Sequence, residues 1–371
     1  MIYLTIFFLS GLTCLFAGYF QQKGQRKIAV IFDVLTVLLP TILAGVRNEN
    51  VGYDIKIYLN NLFHWTKDSN NILDYISFVH DINPNVGIGF SILVYLSSLL
   101  SDNVHILYLF SNLMVILFLY LGIQEINQNM WKKFFSWNML LFLCYNISLN
   151  LMRQFCGIAL LFYARKFIYK KEKKKYWLSC LIASTFHISA LLFLSLYYIY
   201  LFFEGKYREL KLIAVILGIS TILGMYGDIL YFMSNISLID SYYYVTYPSG
   251  FSLRPLLNSY NVFVAVFVVI TYIYITHYNY KKYSILYFYT FIIYLAVIFF
   301  SLGSRESEAF RIGFYIIPFI PEILMFINQY LSYKIKLALY FSQILILIIY
   351  WYLLYIVGGF ASTYPYISDF L

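Results

Sequence analysis

The sequence predicts an all-α, polytopic integral membrane protein with about twelve transmembrane helices. Three observations carry the prediction. Hydrophobic residues make up 62% of the chain and charged residues only 12%, with a mean hydropathy of +0.74, more apolar surface than a soluble domain of this length hides. The apolar residues fall in repeated runs of about 15 to 23, the length that crosses a bilayer as a helix. Short clusters of Lys and Arg separate those runs, as in the loops of a helical membrane protein. An open sheet is excluded, because lipid leaves its edges unsatisfied.

Residues 1–371 read as a single membrane domain. The predicted spans are 2–20, 28–46, 106–123, 135–150, 154–169, 176–187, 189–203, 210–226, 257–276, 284–303, 312–328 and 335–357. The first run lacks a basic n-region and reads as a helix rather than a signal peptide. Orientation follows from Lys23/Arg26/Lys27, Lys132/Lys133, Arg165 to Lys175, Lys206/Arg208/Lys211, Lys281/Lys282 and Lys334/Lys336. The positive-inside rule assigns all of these to the cytoplasm. The net charge of +9 therefore reports orientation, not nucleic-acid binding.

A conflict of parity arises at 87–101 (GIGFSILVYLSSLLS). If it spanned fully, the basic loops at 21–27 and 124–134 would face opposite sides. It therefore reads as a re-entrant or interfacial helix, tolerated where protein shields it. Both termini then lie outside, with thirteen spans as the alternative. Two long outer loops follow, about 47–86 and 227–256, and loops of that length are often functional.

The basic clusters hold 19 of the 26 Lys and Arg residues. The rest are Lys56, Lys67, Arg47, Arg153, Arg254, Arg305 and Arg311. Arginine near the membrane is costly, and its planar fork matches phosphate or carboxylate in a way lysine does not. Five arginines on one face suggest an anionic ligand, and a lipid-linked diphosphate fits. Taken singly, each could anchor headgroups or pair locally, Arg47 with Glu49 or Asp54 and Arg305 with Glu306 or Glu308.

His187, in STFHISALL, has the near-neutral basicity that suits a general base, or it is a satisfied core histidine. Asp54 competes for the same role. Asp33 and Glu322 lie inside predicted spans, where a carboxylate is a functional candidate or a bond to a neighbouring helix. Pro318 and Pro321 are expected to kink the last-but-one span. The lysine-rich KKEKKK at 170–175 reads as a solvated cytoplasmic turn. Cys14, Cys144, Cys156 and Cys180 show neither metal spacing nor a disulfide framework. No metal site, nucleotide motif or cofactor is expected.

Several motifs stand in a familiar order: AGVRNENVGYDIKIY with Arg47, Gly52, Asp54 and Tyr58; VGIGFSIL; NLMRQFCGIALLF with Arg153 and Gln154; TFHISALLF with His187, Ser189 and Ala190; and FRIGFYIIPFIP with Arg311. In these the chain resembles the EpsG/Wzy-like family of bacterial polysaccharide polymerases. Two departures stand out. Tyr53 follows Gly52 where Thr or a small residue is more usual, and Asn85-Val86 stands where a glutamate is expected.

The resemblance implies a metal-independent glycosyltransferase in the bacterial inner membrane. Its substrate would be an undecaprenyl-diphosphate-linked glycan, and its partners membrane lipid and a chain-length regulator protein. The growing glycan would leave its diphosphate and join an incoming lipid-linked unit at the outer face, making O-antigen or a related surface polysaccharide. In that frame Arg153, Arg311, Arg47 and Arg305 are expected to bind the diphosphate. His187 or Asp54 would act as base, and Tyr58, Gln154 and Arg254 would contact substrate. A lipid-linked oligosaccharide flippase, an O-antigen ligase and a membrane acyltransferase are the rivals. Charges near one face and the lack of an internal repeat weigh against the flippase. The ligase shares the donor chemistry.

Overall fold

The structure, a computed structural model, describes residues 2–126, 129–224, 284–301, 308–328 and 333–370. Helices dominate them, and the one β-like pairing among them is an isolated antiparallel bridge between Arg47 and Ser368. The chain divides into two compact units, one of residues 1–197 with 317–371 and one of 198–316.

The first unit begins with a helical hairpin, α1 (Ile2–Gln22) and α2 (Arg26–Gly45). Gly24 ends α1 at φ +75, a conformation glycine adopts without strain. The Gln25 N–H then reaches back to Phe20 O at 2.9 Å. Polar side chains knit the hairpin where water is absent: Ser10 Oγ donates to Thr36 O at 2.7 Å, and Trp137 Nε1 donates to Ser10 Oγ at 2.8 Å.

Between α2 and the next long helix lie a π-helical turn (Ile55–Leu59), α3 (Asn60–His64), α4 (Ile72–Ile82) and α5 (Ile88–Ser98). Their inner faces share one apolar cluster that includes Leu59, Phe63, Tyr75, Val79, Phe90 and Val94. Asn71 caps α4, its side chain accepting from Leu73 and Asp74 N–H. Eleven residues make α5 about 16 Å long, about half the hydrocarbon thickness.

α6 (His105–Ile126) follows, then α7 (Met130–Leu140), running through a π turn into α8 (Asn146–Asn150). The chain breaks at Leu151 and resumes as α9 (Met152–Ala164), α10 (Lys166–Tyr169) and α11 (Lys173–Ser184). A 3-10 segment, Ile188–Leu194, leads into α12 (Ser195–Glu204).

In the second unit, α13 (Arg208–Gly224), α14 (Ser284–Ser301) and α15 (Glu308–Gly313) are joined by side chains. Tyr287 Oη donates to Glu209 Oε1 at 3.2 Å, and Phe300 packs 5.0 Å from Phe310. The first unit closes with α16 (Phe319–Asn328) and α17 (Tyr333–Trp351), the latter extended by a π turn to Val357.

Four segments, Ile2–Gln22, Arg26–Gly45, His105–Glu125 and Lys334–Val357, are long and apolar enough to cross a membrane. Ile88–Ser98, Ile188–Glu204, Ser284–Phe300 and Phe319–Asn328 are shorter apolar helices. The expected span at 312–328 is instead two helices parted by a turn at 314–318. Pro318 supplies the reason, since it lacks an N–H and disfavours helix in the residue before it. The expected span at 257–276 and the loop 227–256 lie outside the described residues, apart from the loop's neighbour α13.

Contacts within the first unit define its two ends. At one, Lys133 Nζ donates to Gln21 Oε1 at 2.7 Å and Lys166 Nζ pairs with Glu125 at 2.9 Å. The basic clusters of this unit gather there. At the other, Tyr3 Oη donates to Thr363 O at 2.7 Å, so the first and last helical stretches meet. His105 Nδ1 lies 2.8 Å from Gly45 O at that same end. The segment 46–104 therefore returns to the end of the unit that it left.

At the basic end Arg165, the first residue of the Arg165–Lys175 cluster, is 1% exposed, and its Nε lies 2.5 Å from Glu322 Oε2. Arg165 also donates to Gly122 O at 3.1 Å. Glu322 is thus the partner of a buried arginine. Asp33 accepts from Tyr120 Oη and from Gln124 Nε2, a bond between neighbouring helices.

Candidate functional site

The site is assembled at the end away from the basic clusters, around the break between α8 and α9. Gly52 takes φ +106, and a Cβ there would sit 3.0 Å from Leu149 O. Only glycine suits both demands. Its N–H donates to Ser362 O at 2.9 Å. Two residues on, the Asp54 N–H donates to Asn150 Oδ1 at 2.9 Å, docking the turn onto the end of α8.

From there the helical spacing does the rest. Residues four apart share a helix face, and Tyr58 Oη donates to Asp54 Oδ2 at 3.0 Å. The Arg153 guanidinium lies over the Tyr58 ring, 4.7 Å from its centroid. Arg153 Nε approaches Tyr58 Oη at 3.4 Å, and Nη1 donates to Asn85 O at 3.0 Å. Asp54, Tyr58 and Arg153 are all half-buried. Burial pushes the Tyr58 phenol up to about 12, against the pull of Arg153.

Arg153 stands in the first turn of α9, which has no side-chain cap. The N-terminal end of a helix carries partial positive charge. The guanidinium and the helix end thus place two positive features at one point. Gln154 beside it is 3% exposed, packed inward rather than presented to solvent.

Asn85 joins this cluster to the histidine loop. A Cβ on Gly87 would lie 2.1 Å from Thr185 O, and one on Gly89 2.2 Å from Thr185 Oγ1. Gly89 N–H donates to Thr185 O at 2.8 Å. The two glycines of VGIGF thus let α5 touch the backbone just ahead of His187. His187 itself is half-buried and extended, with φ −154 and ψ 121. Ser189 Oγ lies 2.6 Å from its Nδ1 and fixes the ring. Ala190 is fully buried, where a larger side chain would displace that turn.

Arg47 is the site's exception. It pairs with neither Glu49 nor Asp54: Glu49 accepts from Asn60 Nδ2 at 2.8 Å, and Asp54 takes Tyr58. Arg47 is instead completely buried. Among the described residues its Nη2 reaches only the Met152 sulfur, at 3.0 Å, and its Nε and Nη1 have no hydrogen-bond partner. Its guanidinium carbon lies 5.1 Å from the centre of the Tyr108 ring. Burial works against the charged form and pushes its pKa down, with Tyr145, Tyr108, Tyr3 and Tyr366 opposing.

Of the expected site residues, Arg47, Asp54, Tyr58 and Arg153 meet directly or through Met152, and Gln154 adjoins them. Arg311, in α15, belongs to the second unit and is described with it; its carbonyl accepts from Phe314 N–H at 3.2 Å. Arg254 and Arg305 lie outside the described residues. Asn150 and the Asn85 carbonyl are additions. No local signal marks them, because each acts on a residue at least 68 positions away.

No curated protein and no solved structure gives a significant match. The EpsG family profile matches residues 30–368, from within α2 to the C-terminal segment. That match spans every residue of the assembled cluster, and the chain belongs to the EpsG family.

Proposed function

We propose that this multi-pass membrane protein polymerises undecaprenyl-diphosphate-linked repeat units into O-antigen or a related surface polysaccharide, at the outer face of the inner membrane. Family membership supports a polysaccharide-polymerase type of function. The observation that carries the finer reading is the Asp54–Tyr58–Arg153 cluster at a helix N-terminus, at the end opposite the basic clusters. By the positive-inside rule that end is the outer one, with both termini on it and about twelve spans in all.

In this reading the acceptor sugar hydroxyl attacks the anomeric carbon of the growing chain. The glycosidic bond forms as the carbon–oxygen bond to the diphosphate breaks, and the diphosphate leaves with the electron pair. Arg153, with the α9 N-terminus, stabilises that charge. Arg311, Arg47 and Arg305 are its proposed helpers, and Arg254 is a proposed substrate contact. His187 takes the hydroxyl proton, its ring held by Ser189, with Asp54 as the alternative base. Tyr58 packs beneath Arg153, and Gln154 backs it from within. A chain-length regulator protein is a proposed partner.

Deletion of the gene, with surface glycan and lipid-linked glycan resolved by gel and mass spectrometry, tests the reading. Collapse of a ladder to single repeat units on lipid A supports it. Polymer stranded on undecaprenyl diphosphate indicates a ligase, and single units trapped on the cytoplasmic leaflet indicate a flippase.

A further inference from the structure

Arg47 sets a problem that the cluster beside it does not solve. A guanidinium removed from water with two nitrogens unbonded is strongly disfavoured unless something answers its charge. Among the described residues no carboxylate pairs with it. The tyrosines around it have committed their hydroxyls elsewhere. Tyr3 donates to Thr363 O at 2.7 Å, Tyr145 to Pro40 O at 2.7 Å, and Tyr366 to Leu43 O at 2.8 Å.

The segment above it has a different character. Thr363 is a buried anchor, held by Asn146 Nδ2 at 2.9 Å. From Tyr364 to Phe370 no residue is buried, and Tyr364, Ile367 and Phe370 are exposed apolar side chains. This stretch is fastened by polar contacts. Asn48 N–H donates to Ile367 O at 2.9 Å, Ser368 Oγ donates to Val46 O at 2.7 Å, and Asp369 lies 3.1 Å from His105 Nε2. Ser368 pairs directly with Arg47 through the antiparallel bridge. A cavity of 500 Å³ lies between Ile2, Tyr3 and residues 364–368. Two ring contacts add to these fastenings, Tyr366 at 5.4 Å from Tyr3 and Phe370 at 4.9 Å from His105. A segment held mainly by polar fastenings, with no fully buried side chain of its own, opens at lower cost than a packed helix, since water replaces those bonds.

We propose that Tyr364–Phe370 is a lid over a phosphate-binding subsite whose buried anchor is Arg47. The structure is the closed state. Lifting the lid bares the guanidinium's two unused donors to a phosphate group, which a planar fork binds in bidentate fashion. The subsite rests on the reading of this end as the place where a lipid-linked diphosphate docks. The lid adds that docking is gated.

Asn48 and Ile367 are register neighbours across the bridge, so the variant Asn48→Cys with Ile367→Cys allows a disulfide to lock the lid shut. The four native cysteines are buried and leave the new pair as the accessible thiols. Binding of inorganic pyrophosphate to the full-length protein in detergent is measured by calorimetry. The reduced variant is expected to bind, the oxidised one at least about ten-fold more weakly, with full recovery on adding dithiothreitol. Because both states are one molecule, misfolding does not mimic the result. In an otherwise native chain, Arg47→Gln is expected to weaken binding at least as much, and Arg47→Lys to restore part of it.

No binding by the reduced form, equal binding by both forms, or unaltered binding by Arg47→Gln overturns the proposal. Phosphatidylglycerol nanodiscs are expected not to displace the pyrophosphate. Displacement would assign the phosphate to a bilayer headgroup and overturn the diphosphate assignment. None of these readouts needs polymer formation, so a deletion that leaves the glycan ladder intact would sink the polymerase reading while the lid stands.

Discussion

Arg153 lies over Tyr58, its guanidinium carbon 4.7 Å from the ring centroid, while the Tyr58 hydroxyl donates to Asp54 at 3.0 Å. One tyrosine thus links a cation and a carboxylate that stand 99 positions apart in the chain, on the 47–86 loop and on α9. Two nitrogens of the Arg153 fork reach Tyr58 Oη and Asn85 O, at 3.4 and 3.0 Å. Arg153→Lys keeps the charge and loses the fork that spans both. It is expected to lower polymer formation about ten-fold or more, the effect of losing about 1.4 kcal/mol. Glycan length profiles from cells carrying equal amounts of each variant would check this. Full activity in the lysine variant would remove the fork from the mechanism.

Tyr58→Phe keeps the ring beneath Arg153 and removes the hydrogen bond to Asp54 together with the long one from Arg153 Nε, a change of about 1 kcal/mol. A loss of about five-fold in rate is expected. Burial lifts the phenol to about 12 from its ordinary 10.0. A group whose folded pKa is raised contributes stability that is whole below the unfolded value and lost as pH rises through the folded one. That contribution should therefore persist to about pH 10 and fade toward pH 12. The neutral phenol donates to Asp54 throughout the physiological range. The pH–rate profile of Tyr58→Phe should match the native shape between about pH 6 and 9, in line with the Tyr58 shift. A limb in that range that vanishes in the variant would make Tyr58 itself the titrating group.

Gly87→Ala and Gly89→Ala separate a backbone clash from a side-chain one. The first forces a Cβ to 2.1 Å from Thr185 O, the second to 2.2 Å from Thr185 Oγ1. Thr185 Oγ1 can rotate away, whereas the carbonyl cannot. Gly87→Ala should destabilise by about 1–3 kcal/mol and Gly89→Ala by less. Thermal melting in detergent reads the order, and a reversed order would contradict the packing of α5 on the histidine loop.

The Arg165–Glu322 pair is expected to be structural. Removing one partner of a buried pair costs about 3–5 kcal/mol, whereas replacing both with apolar residues is often neutral. Glu322→Leu alone should deplete the protein from the membrane. Glu322→Leu with Arg165→Met should restore its level and leave polymer length unchanged. Restored level with no polymer would give the pair a functional role.

The parts legible in the sequence are those written in local pattern. Runs of about 20 apolar residues mark α1, α2, α6 and α17, and the spacing of Asp54 and Tyr58 places them on one helical face. Asn129 caps α7 by accepting from Trp131 and Lys132 N–H, so that helix starts at Met130 rather than at the expected 135. A hydropathy window passes over such a polar first turn. The turn at 314–318 was half legible, because Pro318 announces a disturbance without saying whether the helix bends or ends. Arg165 meeting Glu322 across 157 positions and Ser368 pairing with Arg47 through an antiparallel bridge are tertiary facts with no local trace. The family motifs bridged part of that distance, since they bring Arg153 and Tyr58 into one reading although nothing between them says they touch.

The central claim is that this protein itself lengthens lipid-linked glycans. The most direct measurement places the purified protein in liposomes with undecaprenyl-diphosphate-linked repeat units alone, without nucleotide sugar, and follows chain length on the lipid by mass spectrometry. The account predicts glycans of two or more repeats accumulating on undecaprenyl diphosphate as free undecaprenyl diphosphate is released, with the products lost in His187→Ala and Arg153→Lys. Single units that stay single, in a preparation whose protein is folded and binds the substrate, would contradict it.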